Sequence, residues 1–264
     1  MKTKTITILL AMALLLTLTA CGGGAADTSS YTSVDQFEGE VGFIEGPSTV
    51  TVDGINQMMG TKFESVSLYP TYNEALLALK ADRVTAVAVG KPQGEYSAST
   101  DSSLRFISGK AQNPLQISML TRSDEAELLG QINSALAELK DSGELEALNE
   151  KYVENITVDG AALPSVIQGA QMITVGVSGD NPPFDYISAA GDPSGYNVAL
   201  MGAIAEIAGF NVEFVTIPFS AKFAALTSER IDVFFFHGGY FSSEGIVATD
   251  VYYENMTNGL LVKK

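Results

Sequence analysis

Short apolar runs alternate with amphipathic helical stretches along most of this chain, and that alternation constrains the fold more than any other feature. Val84 to Val89 is the clearest run. Charge before it and Gly90 after it bound an unbroken apolar stretch, the mark of a strand buried on both faces. Val41–Ile44, Ile117–Leu120, Ile173–Val177, Val212–Ile217 and Ile231–Phe236 are further strand candidates. Between them lie helices. One follows Asn73 through Glu74–Leu79, and one starts near Ser123-Asp124. The second carries Leu128, Leu129, Ile132, Leu136 and Leu139 on one stripe and stops at Asp141-Ser142-Gly143. Leu145, Leu148 and Tyr152 mark a short helix, Val198, Met201, Ile204 and Ala205 a longer one ending at Gly209, and Phe223–Leu226 another. Glu45-Gly46-Pro47-Ser48 reads as a turn and a helix start. Alternating strand and helix imply an α/β fold with parallel or mixed sheets and helices on both faces. Ligands on such sheets sit beyond the carboxyl ends of the strands or between lobes.

The first residues are of another kind. Met1-Lys2-Thr3-Lys4 precedes an apolar run from Ile6 to Leu18, followed by Leu18-Thr19-Ala20-Cys21. A basic tip, a short apolar stretch and small residues make a secretion signal, and the run is short for a membrane-spanning helix. The last four residues resemble a bacterial lipobox, which implies a mature chain that starts at a lipidated Cys21, outside the cytoplasmic membrane and anchored to it by acyl chains. A plain secretion signal with an incidental cysteine is the alternative. Losing residues 1–20 leaves 244 residues, and losing Lys2 and Lys4 takes the formal charge from −16 to −18. That length suits two lobes. The acidity argues against nucleic acid and against anionic lipid surfaces. Cys21 is the only cysteine and His237 the only histidine, so neither an internal disulfide nor a Cys/His metal site is available. No cofactor motif is present; a Gly-rich phosphate loop is absent.

From Ile173 onward the chain resembles the opening of a family 3 extracellular solute-binding protein, the type that serves polar amino acid ABC transporters. The residues that carry this are Val175-Gly176-Val177, Asp180-Asn181-Pro182-Pro183-Phe184 and Gly195-Tyr196-Asn197-Val198. Further on come Gly209, Val212–Val215, Phe219, Leu226, Ile231-Asp232-Val233 and Tyr252-Tyr253-Glu254. Residues 33–154 are similar to the family's later part: Val34–Gly39 to its entry into lobe two, Glu74-Ala75-Leu76 with Leu79 and Arg83-Val84 to the following segment, and Leu136–Lys140, Gly143 and Lys151-Tyr152 to its closing helices. The resemblance implies a two-lobed, type II periplasmic-binding-protein-like fold in permuted order. Its expected segments are signal peptide 1–21, flexible tether 22–32, lobe two 33–112, return strand and closing helices of lobe one 113–156, linker 157–171, and the opening βα units of lobe one 172–264. The closing residues Gly259–Lys264 resemble the first crossing strand, so one covalent crossover, near 113–121, is expected. A linker of about 15 residues can reach up to ~50 Å, enough to join the family's original ends. A broken tandem that pairs lobes between two chains is the competing reading.

The same resemblance implies a cleft that closes over a solute by hinge motion. The family grips an amino acid with an arginine for the carboxylate, an acid for the ammonium and aromatic faces. Much of that set is missing. The arginine position falls near Glu244, the lobe-two acid at Gly90, the early acid at Ser178 and an aromatic at Asn181; Phe219 matches the second aromatic, and Ser48 a helix-start donor. Candidate contacts are therefore Phe219, His237, Gly238, Gly239, Tyr240, Glu244, Ser178, Asn181, Ser48 and Gly90, and they favour a small polar or cationic solute over a free zwitterion. The expectation is an extracytoplasmic, membrane-anchored, monomeric solute-binding lipoprotein that delivers its cargo to an ABC permease. It is expected to be no enzyme, despite His237 near Ser242 and Glu244. A sensor or structural lipoprotein with a degenerate cleft is the alternative.

Overall fold

The computed structural model describes residues 29–46, 50–109, 115–156, 161, 163, 165–237 and 244–264. Cys21, the signal and most of the tether lie outside them. The chain runs β1 (Glu40–Ile44), α1 (Val52–Met59), β2 (Ser65–Tyr69), α2 (Tyr72–Lys80), β3 (Ala86–Gly90), α3 (Lys91–Thr100), β4 (Leu104–Ser108) and β5 (Leu115–Arg122). Then come α4 (Ala126–Ser142), α5 (Glu144–Asn149) and β6 (Met172–Val177), followed by the short strands β7 (Asp180–Asn181), β8 (Asp185–Ile187) and β9 (Pro193–Ser194). It ends with α6 (Tyr196–Ala208), β10 (Asn211–Thr216), α7 (Lys222–Thr227), β11 (Val233–His237), β12 (Ile246–Ala248), β13 (Tyr253–Met256) and β14 (Asn258–Lys263). Among the described residues no helix is long and apolar enough to cross a membrane.

Two sheets make two lobes. The five-stranded sheet has the order β2-β1-β3-β14-β4, and the six-stranded sheet β10-β6-β11-β5-β12 with β13 also on β5. Both repeat one plan: a second, first and third parallel strand, then an antiparallel strand from elsewhere, then a fourth. In the five-stranded lobe the guest is β14, antiparallel to β3 and β4; in the six-stranded lobe it is β5, antiparallel to β11 and β12. Sheets that mix directions in this way, with helices on their faces, are the α/β architecture expected.

The sequence reading counted one crossover; the topology has two. The chain leaves the five-stranded lobe between β4 and β5, and returns to it through Thr257, between β13 and β14. The reason is apolar content on both faces of the last strand. Leu260 and Val262 join one core with Ala86 and Ala88, and Leu261 joins another with Val87 and Val89. Such a strand is satisfied only inside a two-sided sheet. The two crossings run side by side, with the Gly109 N–H donating to the Asn258 carbonyl at 2.9 Å.

Several elements match the sequence pattern closely. β3 is buried on both faces, as its continuity requires. The α4 stripe buries Leu128, Ile132, Leu136 and Leu139, and Gly143 ends the helix in the left-handed region at φ 80°. The helix start expected at Ser48 is displaced. The N-cap of α1 is Thr51, whose hydroxyl accepts from the Gly54 N–H at 3.1 Å, and Ser48 lies outside the described residues.

Candidate functional site

A cavity of about 370 Å³ lies between the lobes. Its walls are the carboxyl ends of strands from both sheets. Phe43 and Ile44 end β1, Ala88 and Val89 lead to the end of β3, Ser178 follows β6, and Thr216 ends β10. The crossing strands floor it with Leu115, Met256 and Asn258. Parallel strands bring their backbone ends and following loops to one edge, so two such edges facing each other across a pair of crossings form a cleft.

The walls differ. The five-stranded lobe brings mainly apolar groups, with Met58 and Met59 from the end of α1 added to Phe43, Ile44, Ala88 and Val89. The six-stranded lobe brings Ser178, Asp180, Asn181 and Thr216 beside Phe219. Hydrogen bonds span the cleft. The Tyr72 N–H, at the start of α2, donates to Asp180 Oδ2 at 2.6 Å, and Gln93 Nε2 donates to Asn181 Oδ1 at 3.0 Å. The rings of Tyr96 and Tyr186 meet from opposite lobes with centroids 6.0 Å apart. Asp180 is partly buried, and desolvation raises its carboxyl above the usual range, against the lowering effect of the Tyr72 and Asn73 N–H groups.

Behind the polar wall runs a buried network. Asp185 Oδ1 accepts from the Ser178 N–H at 2.6 Å, and Asp185 Oδ2 accepts from Asn197 Nδ2 at 2.9 Å; the Tyr252 hydroxyl donates to Asn197 Oδ1 at 2.9 Å. These bonds hold the Ser178–Asn181 segment in place from within. Lys222, 1% exposed, lies on the same side. Its Nζ is 5.5 Å from the Phe219 ring centroid and 5.9 Å from that of Phe234. Burial lowers its pKa, while the charges of Asp185 and Asp180 act to raise it.

Of the residues expected from sequence, the cavity wall brings together Phe219, Ser178, Asn181 and Gly90. Glu244 is exposed in the turn before β12 and is not part of the described wall. Its turn is tied down by the Ser123 N–H, which donates to the Gly245 carbonyl at 2.9 Å. His237 ends β11 with its backbone opposite Ile117, and its side chain lies outside the described residues, as do Gly238, Gly239, Tyr240 and Ser48. Gly90 carries no acid for a reason of space: a Cβ there would meet Met256 Sδ at 3.2 Å. Sequence reasoning missed Asp180, Gln93 and the three methionines. Asp180 was in view inside Asp180–Phe184, two residues beyond the position where an acid was sought.

Residues 173–263 match the model of a known family, bacterial extracellular solute-binding proteins, family 3. No curated protein matches the chain. Among solved structures, a putative binding component of an ABC transporter from Wolinella succinogenes, complexed with lysine, is similar at 12% identity and a TM-score of 0.47, over 86% of this chain and 82% of that one. The ligand-binding component of an ABC-type import system from Staphylococcus aureus, with zinc bound, is similar at 9% identity and a TM-score of 0.46, over 86% of this chain and 66% of the other. A periplasmic binding protein from Brucella ovis with glutathione bound gives 12% identity and a TM-score of 0.44, over 91% and 65%. The chain thus spans about two thirds of the length of two of these three.

Proposed function

We propose that this protein, whose residues 173–263 match the model of the bacterial extracellular solute-binding proteins, family 3, captures a small solute between its lobes and delivers it to an ABC importer. One observation carries the reading: the cavity is walled by strand ends of both sheets and floored by the two crossings. A site of that kind couples binding to the angle between lobes, because a guest that touches both walls favours the closed form. The work is recognition and delivery, not bond chemistry.

The anchor belongs to the same proposal. Cys21, lipidated after removal of the signal, tethers the domain to the extracytoplasmic face of the membrane through the small, polar segment that follows. The strand order supports a circular permutation within a monomer, since both lobes and both crossings come from one chain. Gly238, Gly239, Tyr240, His237 and Ser48 stay proposed contacts beside Phe219, Ser178, Asn181 and Gly90.

Calorimetry of the purified chain without its signal, against a panel of small solutes, tests the capture. Saturable one-to-one heat with a fall in the radius of gyration by small-angle scattering is expected; an open-closed angle indifferent to every solute defeats it. Acylation of the full chain in cells, lost in Cys21→Ala, tests the anchor, and a monomeric mass by light scattering tests the permutation against lobe exchange between chains.

A further inference from the structure

Resting on the reading of this cleft as a solute site, we infer that its guest is an organic cation with an apolar body and no carboxylate, held by Asp180 and the face of Phe219. Three features of the cavity lead there. Most of the wall is apolar, including Phe43, Met58, Met59 and Met256. Burying the body of a strongly hydrated solute against such groups has no compensation, whereas a hydrocarbon body gains about 25 cal/mol per Å² removed from water.

The second feature is charge. Asp180 is the one ionisable carboxylate of the described wall, and no lysine, arginine or histidine stands there. Within electrostatic reach behind it are Asp185 and Lys222. Among the described residues, two carboxylates against one ammonium leave one negative charge in excess beside the cavity. A guest carboxylate would meet that charge without a cation of its own, at a cost of several kcal/mol, roughly as for any unpaired buried ion. A guest ammonium would offset it. The acidity of the chain as a whole, −16, draws the same class of solute towards the cleft.

The third feature is the ring. Phe219 lies on a short turn at the cavity edge, half-buried, and Gly46 of the other lobe stands against it, where a Cβ would be 3.6 Å from the ring. Lys222 already lies over this ring and over Phe234. Phe219 thus already holds one cation by its electron-rich face, and the same residue lines the cavity, where a guest cation over the ring gains the same attraction.

Three probes of one carbon skeleton separate the possibilities: 3-methylbutylammonium, its neutral isostere 3-methylbutan-1-ol, and L-leucine, which adds the carboxylate. Calorimetry near neutral pH should rank the ammonium at least about tenfold tighter than the other two, a gap of about 1.4 kcal/mol. Asp180→Asn should bring the ammonium and the alcohol to within about threefold of each other. Acidifying the unaltered protein through the Asp180 titration should weaken the ammonium and leave the alcohol unchanged, which keeps the test open if the variant folds poorly. Equal or tighter binding of the alcohol overturns the inference. Binding of L-leucine or L-arginine in preference to the ammonium also overturns it, while leaving solute capture intact. Heat from none of these solutes overturns the inference, while solute capture as such is decided by the wider panel and the open-closed angle.

Discussion

The two sheets share one strand order, yet their contributions to the cleft differ in kind. The five-stranded lobe presents an apolar wall, whereas the six-stranded lobe presents Ser178, Asp180, Asn181 and Thr216, tied from behind by Asp185 and Asn197. The polar wall is rigidified by a buried hydrogen-bond network; the apolar wall is placed by packing on both faces of its sheet. One lobe therefore supplies direction and charge, and the other supplies cover. Repetition of a fold plan fixes where a site lies, at the strand ends, but not what chemistry each half brings.

The largest way to break the comparison is to end the chain after Thr257. β14 is the strand between β3 and β4, so its removal leaves β4 without a neighbour and opens two cores at once. Loss of protection in amide hydrogen exchange across the five-stranded lobe is expected, with β6, β10 and β11 still protected. Asp185→Ala attacks the other wall. It strands the Ser178 N–H and Asn197 Nδ2 in a buried site, and a loss of about 3 kcal/mol in denaturant unfolding is expected. Gly90→Asp tries to make the apolar wall polar. The new side chain must push Met256 aside, so about 1–2 kcal/mol of destabilisation is expected, much of it relieved when Met256→Ala is added. Thr51→Ala removes the N-cap of α1 and should cost about 1 kcal/mol, all of it in the five-stranded lobe.

The smallest effect concerns pH. Burial raises the Asp180 carboxyl, so its charged form is disfavoured in the fold relative to the unfolded chain. The sign follows: stability tied to this group is present below the ordinary carboxylate range and is lost as pH rises through the raised value. Asp180→Asn should therefore unfold at a slightly higher temperature than the unaltered protein at neutral pH, without solute, and the gap should close on acidification. Equal melting temperatures at neutral pH would remove Asp180 as a desolvated charge.

Much of the fold was legible in the chain, for reasons that can be named. Val84–Val89 announced a two-sided strand because burial on both faces demands apolar residues at every position, and the α4 stripe announced its packed face through its spacing. The helix α3 was not legible. Lys91–Thr100 has no apolar stripe, and it buries Pro92, Gln93, Gly94 and Ser97 by fitting small residues against β4, where a Cβ on Gly94 would run into Phe106. β7, β8 and β9 were also missed, being strands of two or three residues with no pattern long enough to read. In the site, Phe219, Ser178, Asn181 and Gly90 came from the family resemblance, since backbone position carries over when side chains change. Glu244 is absent from the described wall because its turn is bonded to Ser123, beyond the Arg122 end of β5, whereas the cavity lies at the Leu115 end.

The sequence by itself determined the α/β class, most strands and helices and the family resemblance, because these follow from local periodicity and residue order. Only the tertiary structure decided that the last strand returns to the first lobe, that an apolar wall faces a polar one, and that Asp180 is the acid in the cleft. Those depend on contacts between residues more than 100 positions apart, such as Tyr72 with Asp180, where Coulomb forces and desolvation act through space and leave no trace in local pattern.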